Sequence, residues 1–84
     1  MKIQFKLFAS LTDYLPEQGR DGNVVELEVA PGTTISDLVQ RYALPAAQVH
    51  LVLVNGAYIA PEHRSQRVLE PGDALAIWPP IAGG

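Results

Sequence analysis

An apolar run, Ala74-Leu75-Ala76-Ile77-Trp78, meets two consecutive prolines, Pro79-Pro80, and only Ile81, Ala82, Gly83 and Gly84 follow. Proline lacks the N–H that a sheet ladder needs and fixes its own φ. The pair must therefore end a strand and send the chain on as a stiff, extended segment. The run before it reads as core, so the fold has to hold this strand in a sheet while letting the segment leave. This divides the chain into a domain of residues 1–78 and an extended C-terminal tail of residues 79–84. Such a tail could reach roughly 20 Å, enough to enter another protein's active site. Gly83 and Gly84 present no side chain to a narrow channel and leave the terminal carbonyl open to attack. A Gly-Gly end by itself is equally the end of a frayed terminus; the proline brace and the core-like strand favour an arm.

With 84 residues, 48% of them hydrophobic, the chain can build one modest core but not a core plus a deep catalytic cavity. A formal charge of −3 and a pI near 5.1 argue against nucleic acid, whose binders concentrate Lys and Arg. The acidic set Asp13, Glu17, Glu26 and Glu28 suits a basic protein partner, although a solvated strand face explains Glu26 and Glu28 equally well. The absence of cysteine excludes disulfides, thiolate metal sites and any persulfide carried on a side chain. Met1 to Phe8 alternates instead of forming an apolar leader, and no run approaches membrane-spanning length. The expectation is a cytoplasmic protein with neither membrane nor nucleic acid among its partners.

Ile3, Phe5 and Leu7 alternate with Lys2, Gln4 and Lys6, the period of a half-buried strand. Leu11, Tyr14 and Leu15 sit at helical spacing until Pro16, predicting a short helical turn. The polar, glycine-containing stretch Glu17 to Asn23 reads as a loop. Val25, Leu27 and Val29 then alternate with Glu26 and Glu28, giving a second strand closed by Ala30-Pro31-Gly32. Thr34 and Asp37 have the spacing of a capping box. Ile35, Leu38, Val39 and Tyr42 follow at i, i+3, i+4 and i+7, predicting an amphipathic helix that Leu44-Pro45 ends. Val49 to Val54 is apolar on both faces, as in a strand covered by the helix on one side and by something else on the other. Asn55-Gly56 is a strong hairpin turn into Ala57-Tyr58-Ile59. Glu62-His63-Arg64-Ser65-Gln66-Arg67 is polar and expected at the surface. Glu70-Pro71-Gly72-Asp73 turns the chain into the last strand.

This order accommodates an α+β, ubiquitin-like β-grasp, a mixed sheet packed on one main helix, as it does other α+β rolls. Five stretches make the reading specific: Lys6 to Leu11, the Pro31 to Leu38 helix start, Val54-Asn55-Gly56, Leu69 to Asp73, and Pro79 to Gly84. Together they resemble the successive landmarks of the MoaD/ThiS sulfur-carrier family across nearly the whole chain. The Phe8-Ala9 start and the Pro-Pro-x-x-Gly-Gly end are closest to MoaD, the small subunit of molybdopterin synthase. Thr12-Asp13 stands where many MoaD-like chains have an arginine.

The resemblance implies that Gly84 is the reacting residue, with Gly83 beside it. An adenylating enzyme of the ubiquitin-activating type uses ATP to convert the terminal carboxylate into an acyl adenylate, and sulfur then displaces AMP to leave a thiocarboxylate. That group donates sulfur, in the MoaD branch to molybdopterin on the way to the molybdenum cofactor, within a larger sulfurtransferase subunit such as the molybdopterin synthase large subunit. The carrier binds no cofactor and is not an enzyme on its own. The residues agree, since no Ser/His/Asp or Cys/His arrangement is present. His50 and His63 lack metal-ligand spacing, so no metal site is expected. Carriage for another pathway, such as thiamine or cysteine synthesis, a ubiquitin-like modifier, and a plain binding module stay open as alternatives. Ordering a tail costs on the order of 1–2 kcal/mol per residue, so affinity must come from the folded surface. The outer sheet face around Phe8, Ala76 and Trp78, continuing through Pro79, Pro80 and Ile81, is the expected docking surface, with Trp78 as anchor.

Overall fold

The alternation at the N-terminus does produce a strand. In a computed structural model, which describes residues 1–80, β1 (Lys2–Leu7) buries Ile3, Phe5 and Leu7 and turns Lys2 and Gln4 to solvent. It pairs antiparallel with β2 (Val24–Glu28), whose Leu27 points inward beside Ile3 while Glu26 and Glu28 stay exposed. Two further strands, β3 (Leu51–Val54) and β4 (Ala57–Tyr58), flank the Asn55-Gly56 turn. Both turn residues have positive φ, 53° and 84°, the requirement of the tight hairpin that asparagine and glycine meet. The last strand, β5 (Ala74–Trp78), lies between β1, to which it is parallel, and β3, to which it is antiparallel. The sheet order is β2-β1-β5-β3-β4. The central position explains why β5 has no charged residue: both of its edges and one face are covered.

One helix, α1 (Ile35–Arg41), closes the inner face, its Ile35 and Leu38 fully buried. The predicted capping box is present in both directions. Asp37 N–H donates to Thr34 Oγ1 at 3.1 Å, and Thr34 N–H donates to Asp37 Oδ2 at 2.9 Å. The Tyr42 ring lies 5.1 Å from that of Phe5, fixing the helix over the middle of β1. The helix stops earlier than the spacing predicts. Ala43 takes a left-handed φ of 55°, and Leu44, whose N–H returns to the Val39 carbonyl at 2.9 Å, folds inward and is buried. Burying Leu44 outweighs continuing an exposed turn.

Short 3-10 helices fill the connections. The first, Ala9–Tyr14, delivers Leu11 to the core, as the spacing predicts. Another, Glu17–Gly19, lies within the stretch expected as loop. A β-carbon on Gly19 would stand 2.8 Å from the Val24 carbonyl oxygen and 2.9 Å from Val25 Cβ. Only glycine lets this turn rest on β2. A third, Ala46–Gln48, shortens the predicted Val49–Val54 strand, so that β3 starts at Leu51 and His50 is exposed. The polar stretch after Pro61 departs most from expectation. Arg64 is buried, 9% exposed, with its guanidinium spent on backbone carbonyls. Among the described residues no helix is long and apolar enough to cross a membrane.

Candidate functional site

The pairing registers sort the outer face of the sheet into rows. Nearest the N-terminal end of β1, Lys2 lies beside Glu28, and in the following row exposed Glu26 and Gln4 lie beside half-buried Ala74. The next row runs Val24, Lys6, Ala76, Leu53, Tyr58. The last joins Leu51 to Trp78, and the Phe8 ring stacks on Trp78, centroids 4.2 Å apart and planes within 3°. The outer face thus becomes more apolar toward the end where Pro79-Pro80 leaves the sheet. Leu51 is 37% exposed and Tyr58 58% exposed, and Phe8, Trp78 and Leu53 are half-buried. Rigid aromatic and aliphatic side chains left partly open, with one lysine among them, form a surface suited to a protein partner.

The strand that carries the tail is held at both ends. At its start, Asp73 is buried in a turn. Its Oδ1 accepts from Asn55 Nδ2 at 2.9 Å, its Oδ2 accepts from Glu70 N–H at 2.8 Å, and the Arg67 guanidinium lies 3.5 Å away. Burial pushes the Asp73 carboxyl up. The Glu70 N–H, the Asn55 amide and the Arg67 charge together outweigh that and hold it below the ordinary 3.8. Asn55 also accepts from Ala74 N–H at 2.8 Å. The Val54-Asn55-Gly56 and Leu69 to Asp73 stretches, separate in the sequence, are therefore one hydrogen-bonded junction. At its far end, Phe8 N–H donates to the Ile77 carbonyl at 3.3 Å and His50 N–H donates to the Trp78 carbonyl at 3.1 Å. Pro79 is buried and Pro80 exposed.

Phe8 and Trp78 are thus in ring contact at the tail exit. Ala76 lies in the adjacent row but is only 8% exposed, flanked by Lys6 and Leu53. Ile81, Gly83 and Gly84 lie outside the described residues. The sequence predicts docking through Phe8, Ala76 and Trp78, continuing into Pro79, Pro80 and Ile81. Leu51, Leu53 and Tyr58 join them here, and the both-faces-apolar pattern of β3 was the signal that could have found the first two. No group of His, Asp and Glu side chains able to hold a metal occurs among the described residues.

Residues 1–82 match the Mut7-C ubiquitin family. The chain belongs to that family. Among solved structures, this Mut7-C ubiquitin chain is similar to SAMP1 of Haloferax volcanii, at 27% identity and TM-score 0.67 over 100% of both chains. It is similar too to the thiamine biosynthesis protein ThiS of Geobacter metallireducens, at 17% identity and TM-score 0.66, again over 100% of both. A third similar structure is a complex of subunits 1 and 2 of the molybdopterin-converting factor of Helicobacter pylori, matched at 15% identity and TM-score 0.60 over 100% of both chains. No curated protein matches the sequence. The Mut7-C ubiquitin chain therefore has the ubiquitin-like β-grasp shared by the MoaD, ThiS and SAMP proteins.

Proposed function

We propose that this chain is a sulfur carrier whose reacting group is the carboxylate of Gly84. One observation carries the reading most: the open apolar rows of the sheet end at Phe8, Trp78 and Leu51, where the tail departs. A partner docked there has the tail directed along its own surface, so docking and delivery are one event. A carboxylate is a poor electrophile at neutral pH. Attack of its oxygen on the α-phosphorus of ATP in an activating enzyme expels pyrophosphate and makes an acyl adenylate. A hydrosulfide equivalent from a sulfur donor then adds to the carbonyl carbon, AMP leaves with the bonding electron pair, and a thiocarboxylate remains. The domain itself supplies docking and reach, while ATP belongs to the activating enzyme.

The acceptor proposed is the molybdopterin precursor, held in a larger sulfurtransferase subunit. The Pro79-Pro80 brace and the pairing of subunits 1 and 2 in the Helicobacter pylori complex support this choice over thiamine or cysteine synthesis. A second reading, a modifier joined to lysines, is favoured by the likeness to SAMP1, a structure of which is described as small archaeal modifier protein 1. There a lysine amine takes the place of sulfur in displacing AMP. Intact-mass analysis after incubation with an activating enzyme, ATP and a sulfur donor separates the two. Sulfur carriage predicts a gain equal to the sulfur-for-oxygen difference, whereas protein adducts without that gain would favour the modifier.

A further inference from the structure

Among the described residues Arg64 is the one buried charged side chain without an ion pair, at 9% exposure. Every bond it makes is to a main-chain carbonyl, Nε to Ile59 at 3.2 Å, Nη1 to Val49 at 3.2 Å and Nη2 to His50 at 3.1 Å. A guanidinium is costly to bury this way and is tolerated only where its donors are satisfied. The position of the acceptors is informative. The Val49 carbonyl and the His50 N–H belong to the same peptide unit, and that N–H donates to the Trp78 carbonyl at 3.1 Å. The bond is offset by one residue from the register that pairs Leu51 with Trp78, so the regular ladder does not account for it.

We propose that Arg64 is a positioning residue for the tail, acting through the Val49–His50 peptide on the carbonyl of Trp78. A charged donor on the carbonyl oxygen of a peptide polarises its N–H and strengthens the next bond in the chain. The Trp78 carbonyl is the acceptor immediately before Pro79, which has no N–H with which to hold itself to the sheet. Ring stacking by Phe8 sets the side chain of Trp78, and the Arg64 relay sets its backbone. Between them they fix the direction in which the chain leaves β5. A tail that leaves the sheet in one direction has fewer orientations to search for the activating centre, and at a reacting centre a displacement of about 1 Å can cost on the order of a hundredfold in rate. The functional consequence rests on the proposed role of Gly84, but the relay itself does not.

The test compares wild type with Arg64→Met, which removes every donor, and Arg64→Lys, which keeps a charged donor, at a temperature where all three are folded by far-UV circular dichroism. Two readouts need no activating enzyme. The His50 amide should exchange with solvent about tenfold faster in Arg64→Met, with the Gln4 amide unchanged as an internal control, and the lysine variant should fall between. Trp78, the only tryptophan, should gain a fast component in its fluorescence anisotropy decay. With an activating enzyme, Arg64→Met should lower kcat for adenylation at least about tenfold, by a larger factor than it raises KM, because every side chain of the docking face is retained. Unchanged His50 exchange and Trp78 anisotropy in a folded Arg64→Met would overturn the relay. Altered exchange with unchanged kcat would overturn its role in delivery. A wild type that is never adenylated would instead count against the sulfur-carrier reading, with the two enzyme-free readouts still deciding the relay.

Discussion

At Trp78 two demands meet. Its ring stacks flat on Phe8 and its cross-strand neighbour is Leu51, 37% exposed. The pair is large, rigid and only half covered, which suits the proposed role of binding anchor, and neither ring belongs to the fifteen-residue inner core. Trp78→Ala should weaken the complex with an activating enzyme at least about tenfold, equivalent to roughly 1.4 kcal/mol. Because Trp78 is only half-buried, its truncation should cost less stability than the roughly 3–5 kcal/mol of removing a fully buried tryptophan. Isothermal titration and thermal unfolding check the two halves; unchanged affinity with a large stability loss would assign Trp78 to the core. Asp73 makes the opposite case. The folded protein keeps it ionised to lower pH than the unfolded chain does. On acidification the unfolded state therefore takes up the proton first, and the stability this group contributes, complete above 3.8, is lost as pH falls toward its folded value. Asp73→Asn should cost about 2 kcal/mol at pH 7 and flatten the acid limb of the stability curve, a result read from urea midpoints between pH 7 and pH 2.

Among the elements, α1 is the most dependent on its ends. Seven residues are too few for a helix to persist on propensity, so the reciprocal Thr34–Asp37 cap matters more than it would in a longer one. Thr34→Ala should destabilise the domain by about 1 kcal/mol, measured by chemical denaturation. The cap was legible because it needs only two residue types at one spacing. So were β1, β2 and the β3–β4 turn, where period-two alternation or Asn-Gly chemistry acts over a few neighbouring residues. What escaped depends on tertiary contacts that no local spacing announces. Arg64 sits in a polar hexapeptide and is buried only because the carbonyls of Val49, His50 and Ile59 converge on it. Gly19 looks like one loop glycine among several until β2 closes to 2.8 Å on its missing side chain. The helix ends at Arg41, with Tyr42 as its C-cap, shortly before the Leu44-Pro45 stop, because the inward pull on Leu44 is tertiary. At the site, Trp78 and Phe8 could be read as one cluster from strand parity and the proline boundary, and the apolar pattern of β3 pointed to Leu51 and Leu53, whereas Tyr58 joins them only once the register is known.

For the molecule as a whole, the proposed division of labour is between a domain that docks and a terminus that reacts. Removing residues 82–84 takes away no described helix or strand, so the melting temperature should move by less than about 2 °C while adenylation is abolished; a marked drop would show that the tail packs on its own domain. The central claim, that the Gly84 carboxylate is the reacting group, is tested most directly by adding a single residue after it. The addition turns that carboxylate into an amide, a far poorer nucleophile toward ATP, and carries the new carboxylate more than about 3 Å beyond the activating centre. Intact-mass spectrometry after incubation with an activating enzyme, ATP and a sulfur donor should show the sulfur-for-oxygen gain in the unextended chain and none in the extended one, although the extended chain still folds and binds. An extended chain that gains the same mass with its added residue still attached would contradict the account.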